Sequence, residues 1–266
     1  MENLIQNLNS RKFDFTVMPP PEVKVLTVKE NLILSRQNFA LISGQPKVGK
    51  STFTSAIIAS GFAGIPIFDI QLHRHPDKRK VVLFDTEQSR VDLYKSIHQT
   101  VRLAGISTFP DLLDVYSFRK DDAGLILHFI ELYIKENPEA GTIIIDGLLD
   151  LVYNFNDERE CKQVIDFMKR ITAENDIAIL GILHTGKSTG TSVGHLGSFA
   201  DRYCQSNLEV IRDTEKNTID LKPKLLRSAG YFEPVSLMRD ERGMPFQVSY
   251  WEVQMPEKTK KKRANE

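Results

Sequence analysis

Short runs of apolar residues recur along this chain, and each of the clearest ones ends at a glycine or a polar residue. Four of them lie at residues 39–42, 81–84, 142–145 and 177–183. Because these runs do not alternate with polar residues, they are typical of strands that are buried on both faces of a parallel sheet. A more polar segment at 114–118 is a further strand candidate.

Between these runs, apolar residues recur every three or four positions, which is the spacing of one face of an α-helix. The spacing predicts helices over residues 51–60, 89–104 and 158–175, and another that begins at Asp121 or Asp122. Strands that alternate with helices indicate an α/β fold with a mostly parallel central sheet and helices on both faces.

The pattern changes near the C-terminal end, where short strands are separated by polar turns. Segments 208–213 and 218–222 are predicted to pair as antiparallel strands, and so are 235–238 and 246–251. The predicted organisation is an N-terminal arm at 1–30 with a candidate peripheral strand at 23–28, one α/β domain at 31–255 and a basic C-terminal tail at 256–266.

Residues 44–51 match the phosphate-binding loop pattern G-x-x-x-x-G-K-[ST] and stand between a predicted strand and a predicted helix. Backbone N–H groups of such a loop, with the positive end of the following helix, attract the oxygens of a triphosphate. Lys50 is expected to reach the β- and γ-phosphates, and Ser51 is expected to ligate Mg²⁺. ATP and Mg²⁺ are therefore the expected ligands. The residues predicted to bind the nucleotide are Gly44, Gln45, Pro46, Lys47, Val48, Gly49, Lys50, Ser51 and Thr52.

Carboxylates follow the second apolar run, in the sequence Asp85-Thr86-Glu87-Gln88-Ser89. Ligands of open α/β sheets bind at the carboxyl ends of the strands, so Glu87 is placed to face the γ-phosphate and to activate a water molecule. The alternative is that Asp85 and Glu87 only cap the next helix, for which Ser89 is the predicted N-cap. We favour Glu87 as a catalytic residue.

Two other polar residues end apolar runs in the same way. Asp146 follows the run at 142–145 and is expected to hold Mg²⁺ together with Ser51. His184 follows the run at 177–183, where its side chain can touch the γ-phosphate. A purely structural role for this histidine is the alternative.

A loop of small residues, 185–194, comes directly after His184 and contains one cation, Lys187. A segment with so little apolar anchorage is typical of a mobile loop that becomes ordered when it binds a partner. Lys187, Ser188 and Thr189 are the candidates for contacting a bound polymer. A disordered surface loop is the alternative.

Composition and charge narrow the class of protein. The chain has 266 residues, of which 41% are hydrophobic and 26% charged, as in a globular domain. Its formal net charge is zero, which argues against a surface coated with nucleic-acid-binding charge but allows a local basic patch.

Cys161 and Cys204 fit no metal or redox spacing and indicate reduced thiols in a cytoplasmic protein. The start of the chain is polar and the apolar runs are short, so neither a signal peptide nor a membrane span is expected.

Taken together, these motifs resemble the RecA-like branch of the P-loop ATPases. Within that branch, the chain is similar to the RepA-type replicative helicases of plasmids and other mobile elements, which are related to the DnaB helicases. The likeness depends on residues 85–89, 145–147 and 194–198, and it extends roughly over residues 30–250.

The resemblance implies a ring of subunits, usually a hexamer, with ATP bound between neighbours and single-stranded DNA in the channel. It implies that His184 couples the γ-phosphate to loop 185–194, and that loop 151–157 also faces the channel. It further implies a cation from a neighbouring subunit at the γ-phosphate, for which Lys224 and Arg227 are the candidates. Two residues separate these cations here, where the family usually has one. We favour Arg227, because a planar guanidinium suits the spread charge of a phosphoryl group.

The expected function is that of an ATP-hydrolysing, DNA-stimulated motor, namely a ring-forming replicative helicase. Two alternatives stay open at this point. One is a RecA-like recombinase or loader ATPase that does not unwind DNA. The other is a regulatory ATP-binding module with slow turnover and no response to DNA.

Overall fold

A nine-stranded sheet forms the centre of the molecule in the computed structural model, which describes residues 2–186 and 194–249. A second sheet of three strands shares an apolar core with it. The strands, numbered along the chain, are β1 (Lys24–Val28), β2 (Asn31–Ser35), β3 (Phe39–Gly44), β4 (Ile70–Leu72), β5 (Lys80–Asp85), β6 (Leu113–Ser117), β7 (Ala140–Asp146), β8 (Ala178–His184), β9 (Ser206–Asp213), β10 (Thr218–Leu226), β11 (Val235–Arg239) and β12 (Pro245–Val248).

Helices cover both faces of the central sheet. They are α2 (Lys50–Ala63), α3 (Arg90–Ala104), α4 (Ala123–Glu136), α5 (Glu158–Asn175) and α6 (Gly194–Tyr203). The exposed helix α1 (Glu2–Asn9) lies in the N-terminal segment, and a 3-10 turn covers Leu148–Leu151. One core lies between the sheet and α2 and α3, and the other lies between the sheet and α4, α5 and α6.

The central sheet has the strand order β12-β11-β10-β9-β3-β8-β7-β5-β6. The strands from β9 to β6 run parallel to their neighbours, whereas β9, β10, β11 and β12 pair in antiparallel fashion. The predicted class is therefore confirmed: a mostly parallel sheet is flanked by helices and ends in antiparallel strands.

Alternate residues of the central strands build the two cores. In β3, Ala40 and Ile42 belong to the core beneath α2 and α3, whereas Phe39 and Leu41 belong to the core on the opposite face. Burial on both faces explains why these strands are continuously apolar in the sequence. Each large apolar side chain buried in this way contributes about 1.5–3 kcal/mol to the free energy of folding. This packing fixes the strand ends that carry the functional residues.

The N-terminal segment differs from the prediction of an arm over residues 1–30. β1 is the middle strand of the small sheet, in the order β2-β1-β4, and its residues Leu26 and Val28 are fully buried. The strand candidate at 23–28 is present, but it is not peripheral, because its apolar residues pack in the main core. Exposed chain is found over residues 3–22, which include most of α1.

The other predicted elements are present with shifted ends. β10 continues to Leu226, four residues beyond its predicted end at 222, and β12 stops at Val248. β2 and β4 were not predicted, since each is short and bounded by polar turns. The predicted tail at 256–266 lies outside the described residues. No helix in the described part of the chain is long and apolar enough to cross a membrane.

The parallel strands bring their polar end residues to one edge of the sheet. Gly44 at the end of β3 is in register with His184 at the end of β8. Asp85 at the end of β5 is in register with Asp146 at the end of β7. Since β7 and β8 are also neighbours, the ends of all four strands lie side by side, as expected of a ligand-binding edge.

Candidate active site

The phosphate loop, residues 44–51, is shaped by two positive φ angles. Lys47 has a φ of 65° and Gly49 a φ of 109°. Glycine adopts the second angle without strain, and an added Cβ would also lie 2.9 Å from Cδ1 of Ile219. Gly49 immediately precedes α2 and supplies no side-chain cap, so the N–H groups of the first turn face the loop as anion-binding donors.

Lys50 points its ammonium group into the phosphate loop. Nζ donates to the carbonyl oxygens of Gly44 (3.0 Å) and Gln45 (2.9 Å) and to Nδ1 of His184 (2.9 Å). The side chain is buried, and this burial lowers the pKa of Lys50 against the opposing effect of nearby carboxylates. From this position the ammonium group can meet the β- and γ-phosphates of a nucleotide.

His184 joins Lys50 to Glu87. Its Nε2 lies 2.8 Å from Oε1 and 3.0 Å from Oε2 of Glu87. Because an ammonium group can only donate, Nδ1 accepts the proton of Lys50, and a neutral ring then carries its own proton on Nε2 and donates it to Glu87. The three side chains form one hydrogen-bonded chain across the mouth of the phosphate loop.

Glu87 is held in its ionised form by this chain. The hydrogen bond from His184 lowers the pKa of Glu87, and the charge of Lys50 adds to the effect against the influence of burial. An ionised carboxylate beside the phosphate loop is what a general base requires. Gly147 leaves room for it, since an added Cβ at Gly147 would overlap Oε1 of Glu87. Sequence reasoning did not find this role of Gly147.

Asp146 ends β7 and is only 9% exposed. Burial raises the pKa of Asp146 to about 7, and the charges of Asp85 and Glu87 contribute to the increase. Three carboxylates therefore crowd this edge, and a cation beside Asp146 would stabilise its ionised form.

These side chains line a single cleft of about 150 Å³. A serine hydroxyl and a carboxylate at the mouth of a phosphate loop are ligands that Mg²⁺ uses together with nucleotide oxygens. Ser51 and Asp146 both line the cleft, so the residues present fit the ion. The lining residues are Lys47, Gly49, Lys50, Ser51, Glu87, Gln88, Asp146 and His184.

Asp85 shapes the turn between β5 and α3. Its carboxylate accepts the backbone N–H of Gln88 (2.8 Å) and a second hydrogen bond from the Gln88 side chain. Ser89 caps α3, as predicted, by accepting the N–H of Asp92 (3.2 Å). Of the two carboxylates that follow β5, Asp85 serves the helix turn and Glu87 faces the phosphate loop.

Thr86 ties the ends of β5 and β7 together, and sequence reasoning gave it no role. Its N–H donates to the carbonyl oxygen of Asp146 (2.6 Å), and its hydroxyl donates to Oδ2 of Asp150 (2.6 Å). The same hydroxyl accepts the N–H of Gly147 (2.9 Å). These bonds fix the backbone beside Glu87. The only signal in the sequence is a small hydroxyl residue between two carboxylates.

A family model described as an AAA domain matches residues 6–190, which include the phosphate loop and the ends of β5, β7 and β8. The chain belongs to this AAA-domain family. It is therefore an ATPase of the P-loop type, and the predicted RecA-like P-loop fold is confirmed. No curated protein matches the chain at a significant level.

Arg227 of the AAA-domain ATPase lies far from the phosphate loop of its own chain. β9 lies beside the phosphate loop at Val210, which is close to Gly44. It starts at Ser206, toward the amino ends of the parallel strands and away from the loop. β10 runs antiparallel to β9, and its last residue, Leu226, pairs with Ser206. Arg227 comes next and is exposed. The four residue steps from Ser206 to Val210 span about 13 Å, which exceeds the length of an arginine side chain. Arg227 therefore cannot reach the phosphate loop of its own chain.

Lys224, the other candidate cation, is bound within its own chain. Its ammonium group lies 3.3 Å from Oδ2 of Asp201 in α6. Asp201 also accepts a hydrogen bond from Asn207 (2.6 Å). Arg227, by contrast, takes part in none of the ion pairs formed among residues 2–186 and 194–249.

Loop 151–157 lies at the same edge of the sheet as the cleft and touches the start of α6. The N–H of His195 donates to the carbonyl oxygen of Phe155 (2.9 Å), while Tyr153 is 73% exposed. Glu160 accepts the backbone N–H of Tyr153 (2.7 Å) and thereby fixes the loop. The three residues predicted to bind DNA, Lys187, Ser188 and Thr189, lie outside the described residues.

Proposed function

We propose that this AAA-domain ATPase is a DNA-stimulated motor, namely a ring-forming replicative helicase of the RepA type from a plasmid or another mobile element. The hydrogen-bonded chain from Lys50 through His184 to Glu87 carries the proposal. His184 is the last residue of β8, and loop 185–194 starts directly after it. A side chain that contacts both the phosphate-binding lysine and the acidic residue thus stands at the base of the proposed DNA-binding loop.

In the proposed reaction, a water molecule held by Glu87 attacks the γ-phosphorus in line with the β–γ bridging oxygen. As the new O–P bond forms, the bond to the bridging oxygen breaks, ADP leaves with the electron pair, and Glu87 accepts the proton of the water. Lys50 neutralises charge on the β- and γ-phosphate oxygens. Mg²⁺ bound by Ser51 and Asp146 would supply further neutralisation of the phosphate charge.

The state of the nucleotide reaches loop 185–194 through His184. A γ-phosphate competes for the ammonium group of Lys50, which is one of the two partners of His184. Loss of that partner frees the imidazole ring of His184 to turn toward the phosphate. This movement shifts the base of loop 185–194. Binding free energies are reciprocal, so DNA held by the loop changes nucleotide affinity by the same factor.

The motor acts as a ring in this proposal. Loops 185–194 and 151–157 of successive subunits line a channel for one DNA strand, and Arg227 of a neighbouring subunit reaches the γ-phosphate. A net charge of zero is compatible with this arrangement, because only the channel must be positive to follow the backbone of a single strand.

The test is the steady-state ATPase rate of the purified full-length chain with and without single-stranded DNA. We expect several-fold stimulation, which is lost in Lys50→Ala and reduced in Lys187→Ala. Strand displacement on a forked duplex then separates a helicase from a loader or recombinase that hydrolyses ATP without unwinding. Normal ATP binding with slow turnover and no response to DNA would contradict the proposal and indicate a regulatory module.

A further inference from the structure

One guanidinium group contacts the first turn of α2, and a second lies close to the first. Arg239, the last residue of β11, donates from Nη2 to the hydroxyl of Thr52 (2.6 Å) and from Nη1 to the carbonyl oxygen of Gly243 (2.7 Å). The second cation is Arg212 in β9, which is near enough to affect the charge of Arg239. The predicted set of site residues contains neither arginine.

The register of the sheet explains why both arginines face α2. Ile219 in β10 packs against Gly49 of the phosphate loop. Its partners on the neighbouring strands are Arg212 in β9 and Leu237 in β11. Residues directly opposite each other lie on the same face of a sheet, and so do residues two apart in one strand. Arg212 and Arg239 therefore flank Ile219 on the face that meets the phosphate loop.

The carboxylates of the described residues form no ion pair with either arginine. Among the residues that the structure describes, the arginine ion pairs involve Arg36 and Arg170 but neither Arg212 nor Arg239. Burial, followed by the charge of Arg212, lowers the pKa of Arg239. The N-terminal end of α2 is itself positive. Three positive groups at one place cost free energy unless an anion binds between them.

The position of the two arginines in the sheet indicates which phosphate of the nucleotide lies beside them. The γ-phosphate end of the site lies toward β8, β7 and β5, which supply His184, Asp146 and Glu87. Arg212 and Arg239 lie on the other side of β3, on β9 and β11. A phosphate loop holds the α- and β-phosphates with its backbone, so the side away from the γ-phosphate is the α-phosphate side.

We infer that Arg239, supported by Arg212, binds the α-phosphate of ATP and ADP within the same chain. This inference rests on nucleotide binding in the proposed motor and is independent of DNA. An α-phosphate contact is present before and after hydrolysis. It therefore stabilises the bound nucleotide and the transition state equally, and its loss changes affinity without changing turnover at saturation.

The first experiment measures ATP and ADP affinities of Arg239→Gln, by calorimetry in a Glu87→Gln background to prevent turnover. We expect both dissociation constants to rise by the same factor, about tenfold or more, as for other charge-assisted hydrogen bonds. With Glu87 intact, kcat at saturating ATP should stay within about twofold of the parent. Arg242→Gln is the matched control, because this arginine lies in the same hairpin and is exposed. It should bind both nucleotides normally.

A second measurement separates direct binding from a structural role. Replacement of a non-bridging α-phosphate oxygen by sulfur in ADP should weaken binding to the parent and have no effect on binding to Arg239→Gln. If the sulfur effect is the same in both proteins, or if only ATP binding is weakened, the inference is wrong. If Arg239→Gln does not fold, Arg212→Gln provides the same comparison with a smaller expected loss. These assays contain no DNA, so failure of the helicase proposal would leave their result unchanged.

Discussion

At the scale of single residues, the hydrogen bonds of Glu87 determine the clearest test of the site. Glu87→Gln keeps an oxygen that accepts from His184 but removes the carboxylate that we propose takes the proton of water. We expect turnover to fall by about 10²–10⁴, which is the usual contribution of a general base, while ATP still binds. Steady-state ATPase assays and calorimetry check this. A turnover close to that of the parent would show that another group is the base.

Gly147 provides a second residue-scale test, because the side chain of Glu87 occupies the space beside its Cα. Its φ of −124° and ψ of 152° lie in the extended region that is open to any residue, so the test does not depend on a left-handed backbone. The added Cβ would overlap Oε1 of Glu87. We therefore expect Gly147→Ala to lower kcat by about tenfold or more, as misplacement of a catalytic group does, with little change in melting temperature.

The control for Gly147 is Gly230→Ala, because an added Cβ at Gly230 meets no atom within 4 Å. It should leave kcat unchanged. If Gly147→Ala also keeps its full kcat, Glu87 has room to move without loss of activity, and its position beside His184 is not required.

Asp146 gives the chain a pH-dependent stability. Its folded pKa is about 7, well above the ordinary value of 3.8, so the folded state retains a proton that the unfolded state loses. The free energy of unfolding should therefore fall as the pH rises from about 4 to about 7 and level off above that. Asp146→Asn stays neutral and should be more stable than the parent by roughly 1–4 kcal/mol at neutral pH.

The measurement for Asp146 is urea unfolding between pH 5 and pH 8, without nucleotide and with EDTA. The stability difference between Asp146→Asn and the parent should grow as the pH approaches 7. A difference that is constant with pH would mean that Asp146 is already ionised in the ligand-free protein.

Single residues also show what the sequence could and could not predict. Glu87, Asp146 and His184 were predicted to lie at the ligand edge because each follows an apolar run, and parallel strands align such ends. The contacts of Gly147 with Glu87 exist only because β5 and β7 are neighbours. The contact of Arg239 with Thr52 likewise depends on strand order, which no local pattern reveals.

At the scale of elements, the strands that are buried on both faces were the ones that the sequence predicted most clearly. β3, β5, β7 and β8 are buried on both faces and were read from continuous apolar runs. β1, β2 and β4 are short, and their packing on the main core depends on contacts distant in sequence. The segment 23–28, which follows a polar arm, therefore looked peripheral although its apolar residues are part of the core.

The exposed N-terminal arm leads to a prediction about stability. Residues 3–22 are exposed, and the first side chain with described contacts to the body is Glu22, which accepts from Ser35 (2.7 Å) and Gln205 (2.8 Å). Deletion of residues 2–21 should therefore change the free energy of unfolding by less than about 0.5 kcal/mol. Leu26→Ala in buried β1 should cost about 2–5 kcal/mol in the same urea titrations, since it opens a cavity.

Low protein concentration keeps the deletion experiment free of association effects. A loss of more than about 1 kcal/mol on deletion, beyond the usual range of surface changes, would show that the arm packs on its own domain. Equal stability of Leu26→Ala and the parent would instead argue that β1 does not contribute to the core.

At the scale of the whole molecule, the candidate site and Arg227 lie at opposite ends of the strands of the sheet. The phosphate loop, Glu87 and His184 lie at the carboxyl ends of the parallel strands. Arg227 lies near the opposite edge, beyond the reach of its own site. If Arg227 contacts a γ-phosphate, that phosphate belongs to another copy of the chain, and each active site combines residues from two subunits.

Subunit mixing tests this arrangement directly. Arg227→Ala and Glu87→Gln should each be inactive alone, because each removes a different half of every composite site. In an equal mixture, random assembly through a head-to-tail interface leaves about a quarter of the sites with both native residues, so the ATPase rate should recover toward that fraction. A mixture of Lys50→Ala with Glu87→Gln is the control and should stay inactive, since both changes affect the same half-site. If the Arg227→Ala mixture also stays inactive under conditions where subunits exchange, Arg227 does not complete the site of a neighbour.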